Sequence, residues 1–226
     1  MFELIYYISM HKPFNTDRVL ETLDDVLPIL KAYTTEYWFM GSLVPTAYNG
    51  VLFREVHDLD VIVTTENLPK LLNKLFALGY SRRKFNIFRV SELLGVYVFS
   101  HPKLLDVGFF VINKEANCYT IRAGFARIDI PCHHLVKYSY VLQKREFIGI
   151  RPEYSFALSL LAKSNPKRAK EISLYTSRGV MPASWPFYTM YLFGLKSNWI
   201  IVALNALLVI WGTIRVKRGL SYDPWQ

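Results

Sequence analysis

The chain has 226 residues, 52% of them hydrophobic and 15% aromatic, and 27 Lys and Arg against 18 Asp and Glu give a net charge of +9. That length holds one ordinary domain with an appendage, and the charge favours polyanionic neighbours: nucleotides, nucleic acid or an anionic membrane surface. Cys118 and Cys132, the only cysteines, lack the close spacing of a zinc or redox motif, and the first ten residues do not read as a secretory signal, so a reducing, cytosolic setting is expected for the N-terminal part.

Residues 2–9 are a short apolar, aromatic run that suits a strand or a helix start. Val19, Leu20, Leu23, Val26, Leu27 and Leu30 then recur at helical spacing and predict a helix over 16–33. Asn15 or Thr16 is the expected N-cap, and Asp17 favours the helix start. The helix is expected to pack on a sheet and deliver the chain into a strand at 37–40. There Trp38-Phe39-Met40 runs into the small pair Gly41-Ser42, which marks a tight turn. A helix starting at that turn would set unpaired amides in front of Ser42, a place for an anion such as phosphate.

The next strand, 58–64, opens with Asp58-Leu59-Asp60. Side chains alternate along a strand, so Asp58 and Asp60 share one face while Leu59 and Val61 point the other way. Two neighbouring carboxylates repel unless a cation lies between them, and Mg²⁺ is the natural occupant. A solvated strand end is the plainer reading of the same pair. Thr65-Glu66-Asn67 then offers a cap, and Leu68, Leu71, Leu72, Leu75, Phe76 and Leu78 form the stripe of a helix that Gly79 ends. Arg82-Arg83-Lys84 is a basic run, read either as a solvated turn or as contact with a polyanionic substrate.

Residues 86–90, 96–100 and 104–112 read as strands. Asp106 lies within the last, and alternation sets it on one face with Leu104 and Gly108. An unpaired carboxylate there would be costly to bury, so Asp106 is either an edge residue facing solvent or part of a site. Further strand-like pieces include 125–130 and 146–150. Cys132-His133-His134 has no fourth ligand in reach, and adjacent residues rarely point at one ion, so these read as loop and core residues.

Pro152 suits the first turn of a helix carrying Phe156, Leu158, Leu160, Leu161 and Ala162, and a second helix follows Asn165-Pro166 to about Tyr175. A Pro- and aromatic-rich linker over 179–197 leads to residues 199–214, which hold no charge. At ~1.5 Å per residue that stretch spans ~24 Å, short of a ~30 Å hydrocarbon core. Flanking apolar residues and a snorkelling Arg215 make up the difference. A buried core helix would carry a polar face, and only Asn205 interrupts this one, so a transmembrane helix over 198–216 is expected. Arg215, Lys217 and Arg218 prefer the cytosol, which conflicts with a cytosolic N-terminal domain and a single span. The uncharged stretch 180–195 would relieve this by entering the membrane to form a hairpin.

A Gly-Ser turn followed by an Asp-x-Asp strand resembles the nucleotidyltransferase superfamily, and within it the aminoglycoside and lincosamide nucleotidyltransferases. In that type a Trp-x-x-Gly-Gly turn leads through a Gly, an Arg and a His to Asp-Ile-Asp. Trp38, Gly41, Gly50, Arg54 and Asp58-Leu59-Asp60 fall on the pattern, whereas Ser42 replaces the second Gly and His57 sits one place late. The spacing is also similar to that of LicD-type phosphotransferases, whose extra aspartates are absent here.

The resemblance covers residues 15–175 and implies an α+β fold, a polymerase-beta-like mixed sheet with flanking helices. It implies a catalytic domain over 1–151 closed by a helical pair at 152–178, ahead of the linker, the transmembrane helix and a basic tail at 217–226. The implied activity moves a nucleoside monophosphate from a nucleoside triphosphate to a hydroxyl acceptor; the apolar C-terminal stretch adds the expectation of a membrane-associated enzyme with a cytoplasmic catalytic domain. Asp58 and Asp60, with Asp106 as third acid, would be catalytic and hold Mg²⁺, Asp106 completing a metal site or serving as general base. Gly41 and Ser42 would cradle phosphates, and Arg54 and Lys163 would pair with phosphate charge. In the helical pair this family carries Lys-Asp followed by Asp or Glu; here Arg168 stands at the Asp position and only Glu171 matches. Two alternatives remain: a LicD-like or toxin-type transferase acting on glycan, RNA or protein, and a catalytically silent, membrane-anchored scaffold.

Overall fold

The computed structural model describes residues 14–34, 36–64, 66–83, 96–116, 118–123, 126–161 and 166–183. They fold into two compact units. The first draws on the described residues up to Arg83, on Tyr97–Val111 and on Lys137–Ile150; the second draws on Val96, on the described residues of Ile112–Val136 and on those from Arg151 onward.

The first unit begins with α1 (Thr16–Tyr33), formed where its apolar stripe predicts, with Val19, Leu23, Val26 and Leu30 fully buried. Asn15 stands at the N-cap position, yet its carboxamide makes no cap bond. It donates to the Val56 carbonyl and accepts from the Val56 amide at 3.2 Å. The expected cap therefore serves a distant loop. Then come β1 (Tyr37–Met40), α2 (Leu43–Asn49), β2 (Asp58–Thr64), α3 (Leu68–Ala77), β3 (Ser81–Arg82), β4 (Val96–Ser100) and β5 (Asp106–Lys114). After β6 (Cys118–Ala123) and β7 (Ala126–Pro131) of the second unit, β8 (Tyr138–Leu142) and β9 (Arg145–Gly149) return to the first.

The sheet runs in the order β3-β4-β5-β2-β1-β9-β8. β1 is antiparallel to β2, with Met40 opposite Asp60, and parallel to β9, whose end is fixed by the Ile150 amide on the Phe39 carbonyl at 2.9 Å. This is the mixed α+β sheet that the sequence leads one to expect. Leu59, Val61, Val63, Val107 and Phe109 bury one face, where Phe39 meets Phe147 at 5.2 Å and Phe99 meets Phe109 at 5.9 Å between ring centroids. α3 packs against α1, and its Leu71 and Leu75 are fully buried. The opposite face keeps Asp58, Asp60 and Ile62 half-buried, as alternation requires. β5 begins at Asp106, two residues later than expected, so Asp106 opens the strand instead of lying inside it.

In the second unit the end of β5 pairs with β6 at Asn113–Thr120, and β6 pairs along its length with β7. α4 (Pro152–Leu161) and α5 (Ala169–Ser177), joined through a 3₁₀ turn at Pro166–Arg168, pack with Phe156 5.4 Å from Tyr175 between ring centroids. Among the described residues no helix is long and apolar enough to cross a membrane. The expected strand at 86–90, Lys163 and the segment 198–216 lie outside the described residues.

α1 is tied to β9 by Arg145, whose Nε and Nη2 donate to Asp24 at 3.0 and 2.6 Å. The hydrogen bonds from that guanidinium, aided by its charge, hold the Asp24 carboxyl below its ordinary range. A carboxylate depressed in this way stabilises the fold above its unfolded pKa, near pH 4, and loses that contribution as pH falls through the lower folded value. Asp24→Asn should therefore melt below the wild type at pH 7, and the gap should close as the pH falls below about 4. Thermal melts across that range measure it, and a gap unchanged in acid would refute a charge-dependent role.

Candidate active site

The first turns of α1 hold both loops that lead into acidic strands. Asn15 clamps Val56, two residues before Asp58. Arg18 donates from Nε and Nη2 to the Lys103 and Leu104 carbonyls at 3.0 and 2.9 Å, and Thr22 Oγ1 accepts from the Leu105 amide at 3.2 Å. His101 Nδ1 accepts from the amides of Lys103 and Leu104 at 3.2 and 3.0 Å. Backbone groups that a loop would leave unpaired are thereby satisfied, and Asp106 follows directly. No sequence pattern signalled the contacts of Asn15, Arg18 and Thr22, because they join positions 41 and more residues apart.

Asp60 sits on β2, between β1 and β5 in the sheet. Its carboxylate is flanked by two glycines. A Cβ on Gly41 would lie 2.5 Å from Asp60 Oδ2, and one on Gly108 would lie 2.9 Å from Oδ1. Each carboxylate oxygen thus rests where a neighbouring residue has no side chain. Gly41 also has φ +67°, the left-handed conformation that glycine adopts without penalty. Next to it Ser42 is only 5% exposed, and its Oγ has no hydrogen-bond partner among the described residues. Ser42 stands at the N-cap position of the seven-residue α2 without making a cap bond. A buried hydroxyl left unpaired costs about 1–3 kcal/mol.

Asp58 lies on the same face of β2 as Asp60, and Asp106 is two residues before Gly108 on β5, hence on the Gly108 face. Asp106 Oδ2 accepts from Arg83 Nη1 at 3.1 Å. The basic run is therefore neither a wholly solvated turn nor simply open to substrate. The Arg83 amide donates to the Val98 carbonyl at 2.9 Å, and Arg82 lies over the Tyr97 ring, 5.0 Å from its centroid. Arg54 donates to the neighbouring Glu55 carbonyl at 2.9 Å. Among the described residues no three Asp, Glu, His or Cys side chains gather into a metal cage. The carboxylates and the hydroxyl are hard oxygen donors, the class that Mg²⁺ takes.

In the second unit Glu171 is fully buried and accepts from Ser159 Oγ at 2.7 Å and Arg168 Nη1 at 2.8 Å. Arg168, at the position where an Asp was looked for, is thus the cation that a buried carboxylate requires. Cys132–His134 forms a 3₁₀ turn in which His134 Nδ1 lies 2.7 Å from the Tyr154 hydroxyl. Burial, with the nearby His133, pushes the His134 pKa down.

The sequence matches no protein-family model and no curated protein. Solved structures do resemble the fold. The lincomycin-bound crystal structure of the lincosamide antibiotic adenylyltransferase LnuA aligns with TM-score 0.56 at 16% identity, covering 74% of this chain and 99% of that one. The solution structure of the antibiotic-resistance factor ANT(2'')-Ia aligns with TM-score 0.51 at 15% identity, covering 72% of this chain and 84% of that one. The fold is that of the nucleotidyltransferases.

Gly41→Ala should cost about 1–2 kcal/mol, because an L side chain is strained at positive φ. Its extra contact with Asp60 should vanish in an Asp60→Ala background while the backbone cost persists. Denaturant melts of the two single variants and the double variant test this, and full recovery in the double would refute the backbone part.

Proposed function

We propose that the first unit is a metal-dependent nucleotidyltransferase site, moving a nucleoside monophosphate from a nucleoside triphosphate to the hydroxyl of a small or membrane-linked acceptor. The observation that carries this is the Asp60 carboxylate set between Gly41 and Gly108, with Asp58 on its face and the unpartnered Ser42 hydroxyl beside the turn. Glycine at both positions lets the two oxygens lie against the neighbouring backbone, a placement that suits a carboxylate holding a metal–phosphate group. The likeness to LnuA, an adenylyltransferase crystallised with an antibiotic, supports a nucleotide donor and a small acceptor.

Mg²⁺ fits these residues: it binds through one or two carboxylates and takes its remaining oxygens from phosphates and water, so no all-protein cage is needed. Asp58 and Asp60 would hold it, and when bound it supplies positive charge against the triphosphate. The chain's own groups do the rest. The Gly41 turn and the Ser42 hydroxyl receive phosphate oxygens, and Arg54 pairs with phosphate charge. The acceptor oxygen bonds to the α-phosphorus, the bridging P–O bond to the β-phosphate breaks, and pyrophosphate leaves with that electron pair. The proton of the acceptor hydroxyl passes to Asp106. Most of the rate enhancement comes from positioning and charge.

The apolar segment 198–216, uncharged from 199 to 214, anchors this activity at a membrane, behind a catalytic domain over 1–151, a helical pair over 152–178 and the linker. The full chain should sediment with membranes and resist extraction by high salt, which releases proteins held by charge alone. A chain ending at Ser177 should remain folded and in the supernatant. Release of the full chain by salt, together with misfolding of the shortened one, would refute the anchor.

Incubation with each labelled nucleoside triphosphate and Mg²⁺, followed by separation of lipid, glycan, RNA and small-molecule fractions, tests the transfer itself. Asp60→Asn should reduce transfer to background while melting unchanged or higher without metal, since a like-charge repulsion is removed. Gly108→Ala should lower transfer about 10²-fold, the loss expected when a reacting group is misplaced by about 1 Å. Its melting should change little, because only the mobile end of Asp60 has to shift. An Asp60→Asn protein with full activity would overturn the assignment.

A further inference from the structure

We infer that His101 is a positioning residue of this site: as a neutral imidazole with its proton on Nε2 it holds the turn before Asp106, and acid releases that turn. Asp106 is here the base of the reading just proposed, on which the inference rests.

β4 ends at Ser100 and β5 begins at Asp106, so the residues between them belong to neither strand. Side chains satisfy their backbone instead. Nδ1 of His101 accepts from the Lys103 amide at 3.2 Å and from the Leu104 amide at 3.0 Å. Arg18 takes the carbonyls of the same two residues, and Thr22 takes the Leu105 amide. The Arg18 contacts persist at any pH, because a guanidinium keeps its charge. The imidazole contact does not. A ring nitrogen accepts through one lone pair, and that pair is the one a proton would take. Two amides aimed at Nδ1 therefore fix the tautomer, with the hydrogen on Nε2. Protonation would turn Nδ1 into a donor and leave both amides without their acceptor.

Residues after α3 hold the ring in this pose. Its Nε2 faces Gly79, where a Cβ would lie 3.3 Å away, and its centroid lies 4.9 Å from that of Tyr80. Around the imidazole stand Asp25 and Arg18 from α1, Tyr80, and Lys103 of the turn itself. Burial pushes the Asp25 carboxyl up, and a charge on His101 pulls it back down. Burial also pushes the Tyr80 hydroxyl up, which keeps it neutral. Asp24, beside Asp25, is engaged by Arg145. Asp25 thus favours the imidazolium while the two amides favour the neutral ring, a balance that acidification tips.

The turn is read by ¹H–¹⁵N spectra of the full chain in detergent micelles from about pH 8 to about pH 5, the span in which histidine side chains change charge. In the wild type the Lys103 and Leu104 amide signals should move together with the His101 ring nitrogens. At about pH 8 the ring should carry its proton on Nε2 alone. In His101→Asn the carboxamide oxygen stands as many bonds from Cα as Nδ1 does, and asparagine habitually accepts from the amide two residues on. Both amides should then stay bonded throughout. Turnover is read with labelled nucleoside triphosphate and Mg²⁺, in the fraction that takes up label. The ratio of wild-type to His101→Asn kcat should fall on acidification, every titration the two proteins share cancelling from it. At about pH 8, His101→Ala should lower kcat about 10²-fold, the loss for a reacting group misplaced by about 1 Å. The nucleotide KM should be unchanged, and His101→Asn should recover most of the rate. Circular dichroism checks that each protein is folded, and the spectra and the ratio need only the wild type and His101→Asn. Amide signals that ignore the imidazole, a proton on Nδ1 at about pH 8, or a kcat ratio flat with pH would overturn the inference and leave the nucleotidyltransferase reading intact. A wild type that transfers no label would overturn that reading, and this inference with it.

Discussion

Clearance around one carboxylate governs this structure. Asp60 lies on a strand flanked on both sides, and each of its oxygens meets a neighbouring residue at a distance no Cβ would tolerate. The turn after β1 must therefore be glycine for two independent reasons, its positive φ and its closeness to Oδ2. β5 must carry a small residue at 108 for a third, with Asp106 then falling on the same face. The backbone of three adjacent strands is thus shaped around a group whose ordinary place would be in water. Proteins concentrate such departures from local preference at sites that do work.

The same strands are held in place from one direction. α1 contributes a buried stripe to the core and also a row of polar side chains at its start. Asn15, Arg18 and Thr22 satisfy the backbone of two loops that are far apart in sequence and lead to Asp58 and Asp106. Each bond is modest, about 1 kcal/mol net. Their effect is geometric: a shift of α1 would move both loops together and so preserve the spacing between the acids.

Much of this was legible in the sequence, for a physical reason. Alternation and helical stripes are local, so the Asp58/Asp60 face of β2, the apolar face of α1 and the helix ended by Gly79 follow from neighbouring residues alone. Gly108 was placed on the face of Asp106 by the same rule, but its closeness to Asp60 depends on which strands become neighbours. Arg83 was read as part of a charged run because nothing local marks the two-residue β3 that aims it across the sheet. Asn15 looked like a cap because that is its commonest local use; a partner 41 residues away outcompeted the helix amides. What stayed hidden was long-range pairing of polar groups, which leaves no period in the chain.

The contact of buried Ser159 and half-buried Arg168 with buried Glu171 has an evolutionary consequence. Glu171 has no exposure at all, and its carboxylate is satisfied by those two partners. Breaking a buried ion pair by removing one partner costs about 3–5 kcal/mol, a large share of the ~5–15 kcal/mol that holds a typical domain together. An acidic side chain at position 168 would be worse, setting two carboxylates against each other. In this chain's packing an acid at 168 therefore calls for a change at or around position 171, and the two sites are epistatic.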